Sequence, residues 1–571
     1  MPYVVTQPCC ADASCVVACP VNCIHPAPGE PGFATAEMLY VDPAGCVDCG
    51  ACVTACPVDA IKPHTKLAPN ELPFLELNAG YYRQSPHADR SPVARLPRQR
   101  RLRSSRPVRV AIVGAGPAGL YVADELLKHP EVSVEVFERL MTPHGLVRAG
   151  VAPDHQRTKQ ASALFRHIEA DSRFRYHLGV DVGRDVTRAD LAACYDAVVW
   201  TVGAAADKTL GIPGEQLPGS LSATALVRWY NGHPDGRDLP VDLATERAVV
   251  VGNGNVALDV ARVLTRDPEA LAATDIAEHA LNALRHSEIR EVVVIGRRGP
   301  AQAAFTTPEL IGLAGEPDVD VVVDTGGLPL PDDERGRVLH QLASRPSRPG
   351  NRRIVLRFGW SPLALLGTDR VSGVRLARTR LEVDAHGIPR ATLTDETEDL
   401  PVGLVLRSVG YHGQPVADLP YDEVTGTVPN DAGRVAPGSY VAGWIKRGPT
   451  GFIGSNKTCA QETVASLLDD LDAEAITAPR RDPRLLLADL RARGITVLDR
   501  EDWWAIEAEE RAQGAAAGRV RRKLVDRGEA VRVAEQARAD ATRSRPGRRD
   551  YDNDGEFSGA DRRTAGAVAA T

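Results

Sequence analysis

The run Val108-Arg109-Val110-Ala111-Ile112-Val113-Gly114-Ala115-Gly116-Pro117-Ala118-Gly119-Leu120 decides the fold of this 571-residue chain. Its apolar first half reads as a parallel strand buried on both faces. Gly114, Gly116 and Gly119 then turn the chain tightly into a helix, whose first N–H groups are placed to hold a pyrophosphate. G-x-G-x-x-G alone is a weak signal, but here its context is complete. A helix through Leu127 and a strand from Val132 to Phe137 follow, and Glu138 ends that strand 19 residues past Gly119, where an acid accepts from ribose hydroxyls.

A second fingerprint, Ala248-Val249-Val250-Val251-Gly252-Asn253-Gly254-Asn255-Val256-Ala257, repeats the pattern of strand, glycine turn and helix. Two dinucleotides are therefore expected. The next strand of this unit, Val292-Val293-Val294-Ile295-Gly296, ends in Arg297-Arg298 and not in an acid. Two guanidiniums pair with a 2′-phosphate that an acid would repel, so the second site favours NADPH over NADH. Leu404-Val405-Leu406-Arg407-Ser408-Val409-Gly410 reads as the return to the first domain. Tyr440-Val441-Ala442-Gly443-Trp444 then leads to Gly448-Pro449-Thr450-Gly451-Phe452-Ile453-Gly454, a turn opening a helix. Its N–H groups and positive dipole end suit the anionic edge of a reduced flavin.

Upstream of this core, nine of the eleven cysteines fall within the first 56 residues. Four read Cys46-x-x-Cys49-x-x-Cys52-x-x-x-Cys56-Pro57, the spacing of iron-sulfur ligation. Zinc usually takes separated C-x-x-C pairs, and disulfides need an oxidising compartment. Cys15-x-x-x-Cys19-Pro20 repeats the second half of the motif. In such paired loops each proline-adjacent cysteine crosses to the other cluster. Cys19 then joins Cys46, Cys49 and Cys52, while Cys56 joins Cys9 and Cys15. Cys23 reads as a packed thiol beside a cluster.

The formal net charge of −7 excludes a general nucleic-acid binder. No apolar run approaches ~18 residues and no secretory leader opens the chain, so no membrane contact and a cytoplasmic location are expected. Charge is uneven. Residues 1–75 carry seven acids against Lys62 and Lys66, whereas Arg83 to Arg106 holds eight arginines against Asp89, interrupted by Pro86, Pro92 and Pro97. The expected plan is a ferredoxin domain over 1–75, a basic linker over 76–106 and a first part of an FAD domain over 107–211. An NADP domain over 212–403, a second FAD part with a C-terminal extension over 404–538, and a disordered tail over 539–571 complete it.

Residues 1 to 65 resemble the seven-iron bacterial ferredoxins, whose first cluster has three cysteine ligands. The Cys9–Cys15 spacing is shorter than that family's, and Cys10 intrudes, so the first cluster is either [3Fe-4S] or a second [4Fe-4S] with Cys10 as fourth ligand. From about 106 to 480 the chain resembles adrenodoxin reductase and its bacterial relatives, the glutathione-reductase-like ferredoxin-NADP reductases. The resemblance rests on Gly145-Leu146-Val147-Arg148-Ala149-Gly150-Val151-Ala152-Pro153-Asp154-His155, on Gly252 through Arg262, on Gly296-Arg297-Arg298-Gly299-Pro300 and on Gly443 through Gly454. It implies an α/β flavoprotein of two dinucleotide-binding domains behind an α+β ferredoxin domain. It also implies FAD contacts at Ala115, Glu138, Leu146, Val182, Trp444, Gly451, Phe452 and Ile453. NADP contacts are implied at Lys208, Gly252, Asn253, Gly254, Asn255, Val256, Arg297, Arg298, Glu309 and Gly451, with His155 and Glu309 near the reacting rings.

The implied activity is that of a ferredoxin-NADP reductase. NADPH carries two electrons as a hydride, clusters take one at a time, and FAD converts between the two. The clients implied are electron-accepting proteins, a cytochrome P450 or a free ferredoxin. Only Cys194 and Cys459 lie in the reductase part, so a disulfide-reducing C-x-x-C is missing there. Two other readings fit parts of the sequence: the electron-input subunit of an enzyme such as glutamate synthase, and a non-enzymatic redox sensor.

Overall fold

A computed structural model describes residues 2–85, 99–103 and 105–543. The strand Val108–Val113 lies in the middle of a six-stranded sheet, with Val132–Glu138 and Phe174–Leu178 on one side and Ala197–Trp200, Ser439–Val441 and Arg434–Ala436 on the other. All its pairings are parallel except that of Arg434–Ala436 with Ser439–Val441. Helices Pro117–Leu127 and Ser455–Asp472 pack on it, burying Leu120, Val122 and Leu467 completely.

A second six-stranded sheet, parallel throughout, runs in the order Ser220–Ser222, Leu404–Arg407, Arg247–Val251, Glu291–Gly296, Arg352–Phe358, Val319–Asp324. Leu404–Arg407 was expected to begin the return to the flavin domain. It instead fills a central place here, pairing in register with Arg247–Val251, because its run of apolar residues is buried on both faces. The crossing between domains is made by a two-stranded ribbon, Ala206–Asp207 against Tyr411–His412. An antiparallel three-stranded sheet, Trp360–Leu366, Gly373–Val383 and Pro389–Pro401, is appended to the coenzyme domain and has no counterpart in the sequence reading.

The N-terminal domain pairs Tyr3–Val5 with Ile61–Pro63 and Ile24–His25 with Tyr40–Val41. It does not end at residue 75, because the helix Pro73–Gln84 belongs to it. Buried Asn78 accepts from the amides of Val5 at 3.2 Å and Val41 at 2.9 Å, and donates to the carbonyls of Val5 at 3.0 Å and Phe74 at 2.7 Å. One amide side chain thus satisfies all four hydrogen bonds and joins both strand pairs. Of the expected linker, residues 86–98 lie outside the described residues. Arg100 pairs with Asp472 at 2.6 Å and Arg106 with Asp196 at 2.6 Å, so these arginines lie on the flavin domain.

The C-terminal helices Arg500–Ala516 and Arg527–Arg543 pack on the flavin domain through Trp503, which is fully buried. The second helix runs past the expected tail boundary at 539, and the tail beyond Arg543 lies outside the described residues. This extension also reaches the coenzyme domain. Buried Asp275 accepts from Lys159 at 2.7 Å and from Lys523 at 2.9 Å, tying flavin domain, coenzyme domain and extension together.

Candidate flavin, coenzyme and cluster sites

Gly114 leaves the first strand with φ +105°, and a Cβ there would lie 2.7 Å from the Thr201 carbonyl oxygen, so only glycine fits. Over Gly116 the nearest atom to an added Cβ is the Gly145 Cα at 4.0 Å, which leaves room for a pyrophosphate at the helix start. Glu138 accepts from the amides of Ala115 at 2.9 Å and Leu140 at 3.0 Å, and burial raises its carboxyl above the usual range. Each oxygen keeps a lone pair for a ribose hydroxyl. Leu146 is 47% exposed beside this turn, and Val182 is half-buried beyond the next strand.

The opposite wall is Trp444 to Ile453. The Trp444 indole donates to the Thr450 carbonyl at 3.1 Å and stacks on Tyr411. Gly451 turns at φ +81°. Beside it the Arg447 guanidinium donates to Asn456 at 3.2 Å through Nη2, while its buried Nη1 has no partner among the described residues. Burial lowers the Arg447 pKa, as expected of a cation lacking a counter-charge. An orphaned cation, an open glycine turn and an exposed leucine fit an FAD bound in this cleft.

In the second unit Gly252 turns at φ +107° against the Ser408 carbonyl, and space over Gly254 is open for 4 Å. Asn253 and Asn255 tie this turn to the following loop, accepting from the amides of Ala304 at 3.3 Å and Thr306 at 2.8 Å. Val256 lies in the first turn of the helix Asn255–Thr265. Arg297 and Arg298 follow the strand Glu291–Gly296, and neither pairs with an acid among the described residues. Lys208 is exposed beside the ribbon, its amide bonded to Gly410 O at 3.1 Å.

His155 and Glu309 come together with Asp154, Asp259 and Arg262, residues of the quoted motifs to which the sequence reading gave no role. Arg262 Nη2 donates to His155 Nε2 at 2.7 Å and to Asp259 at 2.7 Å, and its Nη2 also donates to Asp154 at 3.1 Å. His155 Nε2 therefore serves as acceptor, leaving the proton on Nδ1. Ligand atoms of His155, Asp259 and Glu309 lie within 4.8 Å of one another, but the Arg262 guanidinium already supplies the cation at their centre. Burial raises the Glu309 carboxyl, Arg262 opposes the rise, and Asp259 adds to it.

The thiols of the N-terminal domain fall into two groups. Burial pushes Cys9 up to about 11, and the neighbouring Cys56 adds to the rise; Cys15, raised by burial, also feels Cys9, Cys56 and Cys52, and Cys10, raised by burial, feels Cys9 and Cys56. Cys52 is pushed up to about 12 by burial, with Cys46, Cys19 and Cys49 adding. Cys19 Sγ lies 3.5 Å from Cys23 Sγ, and a hydrogen bond from Cys23 lowers the Cys19 thiol to about 5. A zinc ion with Zn–S of about 2.3 Å would gather its thiolates within about 4 Å of each other. Among the described residues no three thiols approach within 4.8 Å, which suits polynuclear clusters.

The domain carrying these thiols sits on the reductase by its Gln7–Asp12 side. The Gly454 amide donates to the Cys10 carbonyl at 2.8 Å, and a Cβ on Gly454 would strike the Ala11–Asp12 backbone. Gln7 donates to Glu309 at 3.0 Å. Glu37 accepts from the Thr307 amide at 2.7 Å and from Arg335 at 2.8 Å, thereby capping the helix Thr307–Ala314. Cys49 and Asp48 are exposed on the far loop, as is Val47.

Residues 108–298 match the pyridine nucleotide-disulphide oxidoreductase family, and residues 39–62 match the 4Fe-4S binding domain. The chain is 50% identical to a "probable ferredoxin/ferredoxin–NADP reductase" of Mycobacterium tuberculosis, over 95% of this chain and 97% of the relative. It is 43% identical to the human mitochondrial NADPH:adrenodoxin oxidoreductase, over 74% of this chain and 91% of the relative. Among solved structures, M. tuberculosis FprA in complex with NADPH superposes with a TM-score of 0.72 at 45% identity, covering 75% of this chain and all of that one. With a glycine-turn cleft for FAD, a basic coenzyme turn and a cysteine-rich domain docked between them, this chain belongs to the ferredoxin/ferredoxin–NADP reductase family.

Proposed function

We propose that the chain carries electrons from NADPH through FAD to two iron-sulfur clusters of its own ferredoxin domain, and from there to a separate redox protein. FAD, when bound, accepts a hydride and gives up single electrons, and clusters carry single electrons. The chain's residues bind and align. Arg297 and Arg298, with Lys208, hold the 2′-phosphate end, and the turn from Gly252 to Val256 holds the pyrophosphate. Gly114 to Gly119, Glu138, Leu146, Val182, Trp444 and Gly451 to Ile453 hold the flavin. His155, kept as the Nδ1–H tautomer by Arg262, holds the pocket of Glu309 beside the nicotinamide. Hydride transfer needs chiefly this alignment.

Cys9, Cys15 and Cys56 hold the first cluster, and Cys19, Cys46, Cys49 and Cys52 hold the second. The repeat of Cys52-x-x-x-Cys56-Pro57 as Cys15-x-x-x-Cys19-Pro20 supports this crossed assignment. The observation that carries the reading is the Gly454–Cys10 hydrogen bond at 2.8 Å, which seats the first cysteine loop on the flavin-facing turn. The second loop, with Cys49 exposed, is left for the acceptor, a cytochrome P450 or free ferredoxin being the clients the family resemblance implies. Anaerobic titration with NADPH, followed optically and by electron paramagnetic resonance with iron and sulfide counted per FAD, tests it. Reduction of flavin and then of two magnetically distinct clusters is expected; flavin reduction with no cluster signal would refute it.

A further inference from the structure

The strands that lead into the two coenzyme motifs begin with a row of charge. Arg247, Glu291 and Arg353 stand in register on three neighbouring parallel strands, Arg247–Val251, Glu291–Gly296 and Arg352–Phe358. Glu291 is 8% exposed, and each of its carboxylate oxygens receives the Nε–H of one of the two arginines. A carboxylate gripped from both sides fixes both guanidiniums before anything binds. Neutralising one buried acid takes one arginine, and here two are supplied.

The row lines a cleft of about 520 Å³ together with Arg290, Asn351 and Glu246. Its remaining donors pair with no acid. Arg353 gives only Nε to Glu291, so both of its Nη groups have no partner among the described residues. Arg247 spends Nη1 on the Pro401 carbonyl at 3.2 Å and keeps Nη2. The Arg290 side chain makes no hydrogen bond or ion pair among the described residues, and Arg352 beside it donates only to the carbonyls of Leu264 and Arg266, both at 3.5 Å. Inside the cleft the guanidiniums of Arg247, Arg290 and Arg353 face the carboxylates of Glu291 and of exposed Glu246, so the charge stays positive.

We propose that this cleft is an anion site of the coenzyme domain, separate from the NADPH site, and that it takes a ligand bearing two adjacent phosphates. Guanidinium forks match phosphate oxygens in bidentate fashion. Arg247 and Arg353 lie on opposite sides of Glu291, so one phosphate for each guanidinium seats the ligand across the clamp, and Arg290 supplies a third cation. The volume falls within the roughly 300–1,000 Å³ of small-molecule pockets, enough for pyrophosphate alone or with a nucleoside attached. The cleft opens at the start of the strands Arg247–Val251 and Glu291–Gly296, whereas Gly252 and Arg297 follow their ends. Five or six residues at about 3.3 Å each set the two sites roughly 16–20 Å apart. The anion and NADPH therefore occupy the domain together.

Isothermal titration calorimetry of the full chain, with FAD bound and NADP+ saturating, tests the site with sodium pyrophosphate and with ADP at constant ionic strength. Pyrophosphate should bind at a single site per chain. Arg290→Ala and Arg353→Ala should each weaken it about tenfold or more, the loss of a charge-assisted hydrogen bond. Both variants should keep the wild-type KM for NADPH with a dye acceptor. Arg290→Ala removes a side chain that pairs with nothing among the described residues, so it carries the test if Arg353→Ala fails to fold. ADP binding at least as tightly as pyrophosphate would support the site and identify a nucleotide as its ligand; weaker ADP would support it and identify the free anion. Failure of both to bind at millimolar concentration would overturn the proposal. So would pyrophosphate binding that is unchanged in Arg290→Ala, or binding that NADP+ abolishes.

Discussion

Gln7 of the ferredoxin domain donates to Glu309 Oε2 at 3.0 Å, joining two residues 302 apart in sequence. Glu309 lies in the first turn of the helix Thr307–Ala314, and burial holds its carboxyl above the usual range while the Gln7 bond pulls it down. Gln7→Leu should therefore raise the Glu309 pKa further. The sign follows: with a raised folded-state value, the stability this carboxyl contributes is complete below about 4.5 and is lost as pH climbs through the folded value. The variant should keep a protonated carboxyl to higher pH, read as a carbonyl stretch by infrared difference spectroscopy. An unmoved titration would separate Gln7 from the coenzyme site.

Reversing the charges of Arg297 and Arg298 should raise KM for NADPH far more than for NADH. Each charge-assisted hydrogen bond to a phosphate contributes about 1.5–3 kcal/mol, so losing one corresponds to roughly 10- to 150-fold. Steady-state kinetics with both coenzymes decides it, and equal losses would take these residues out of the phosphate site.

Cys56→Ser should alter the cluster held by Cys9 and Cys15, whereas Cys19→Ser should alter the one held by Cys46, Cys49 and Cys52. Paramagnetic resonance of the reduced variants reads the difference. If Cys56→Ser removes the signal that Cys49→Ser removes, the ligation is consecutive and not crossed.

Gly454 has φ −71°, ordinary for any residue, so Gly454→Ala meets no backbone strain, and the atoms nearest its new methyl are those of the Ala11–Asp12 backbone. Overpacking of this kind costs about 1–3 kcal/mol, which shifts the docked population by about 5- to 150-fold. Stopped-flow measurement should show cluster reduction slowed relative to flavin reduction within the same protein. An unchanged ratio would mean that electrons do not pass through this contact.

Asp275→Ala would leave the ammoniums of Lys159 and Lys523 buried without their acid, a loss of about 3–5 kcal/mol that denaturant titration should resolve. Those lysines, with desolvation opposing, hold the Asp275 carboxyl far below its ordinary range, as Arg262 holds Asp154. A depressed carboxylate contributes stability that is whole above about 3.8 and disappears as pH falls below it. Acid should thus loosen the contact between the flavin and coenzyme domains, seen as lost near-ultraviolet dichroism below about pH 4.

Both dinucleotide units were legible because a glycine turn is a local device: Gly114 and Gly252 need positive φ whatever surrounds them. Strand partnership is not local. Leu404–Arg407 is an apolar run that would suit either sheet, and only its register with Arg247–Val251 assigns it. The helix Pro73–Gln84 was hidden for another reason, since its buried face includes the polar Asn78 and a basic stretch follows. Of the candidate site, the fingerprint residues were readable from spacing. Gln7, Arg262 and Arg447 were not, because their roles arise from contacts between distant segments.

The ferredoxin domain rests on both halves of the reductase: Gly454 and Lys457 belong to one, Glu309 and Arg335 to the other. Between those halves the short ribbon of Ala206–Asp207 and Tyr411–His412 is a natural hinge. A body fastened on each side of a hinge acts as a clasp, because opening the cleft would have to break one set of its bonds. The fused electron acceptor therefore also limits the angular freedom of the cleft that receives NADPH, and a coenzyme entering a cleft already held near its closed angle loses less motional entropy on binding.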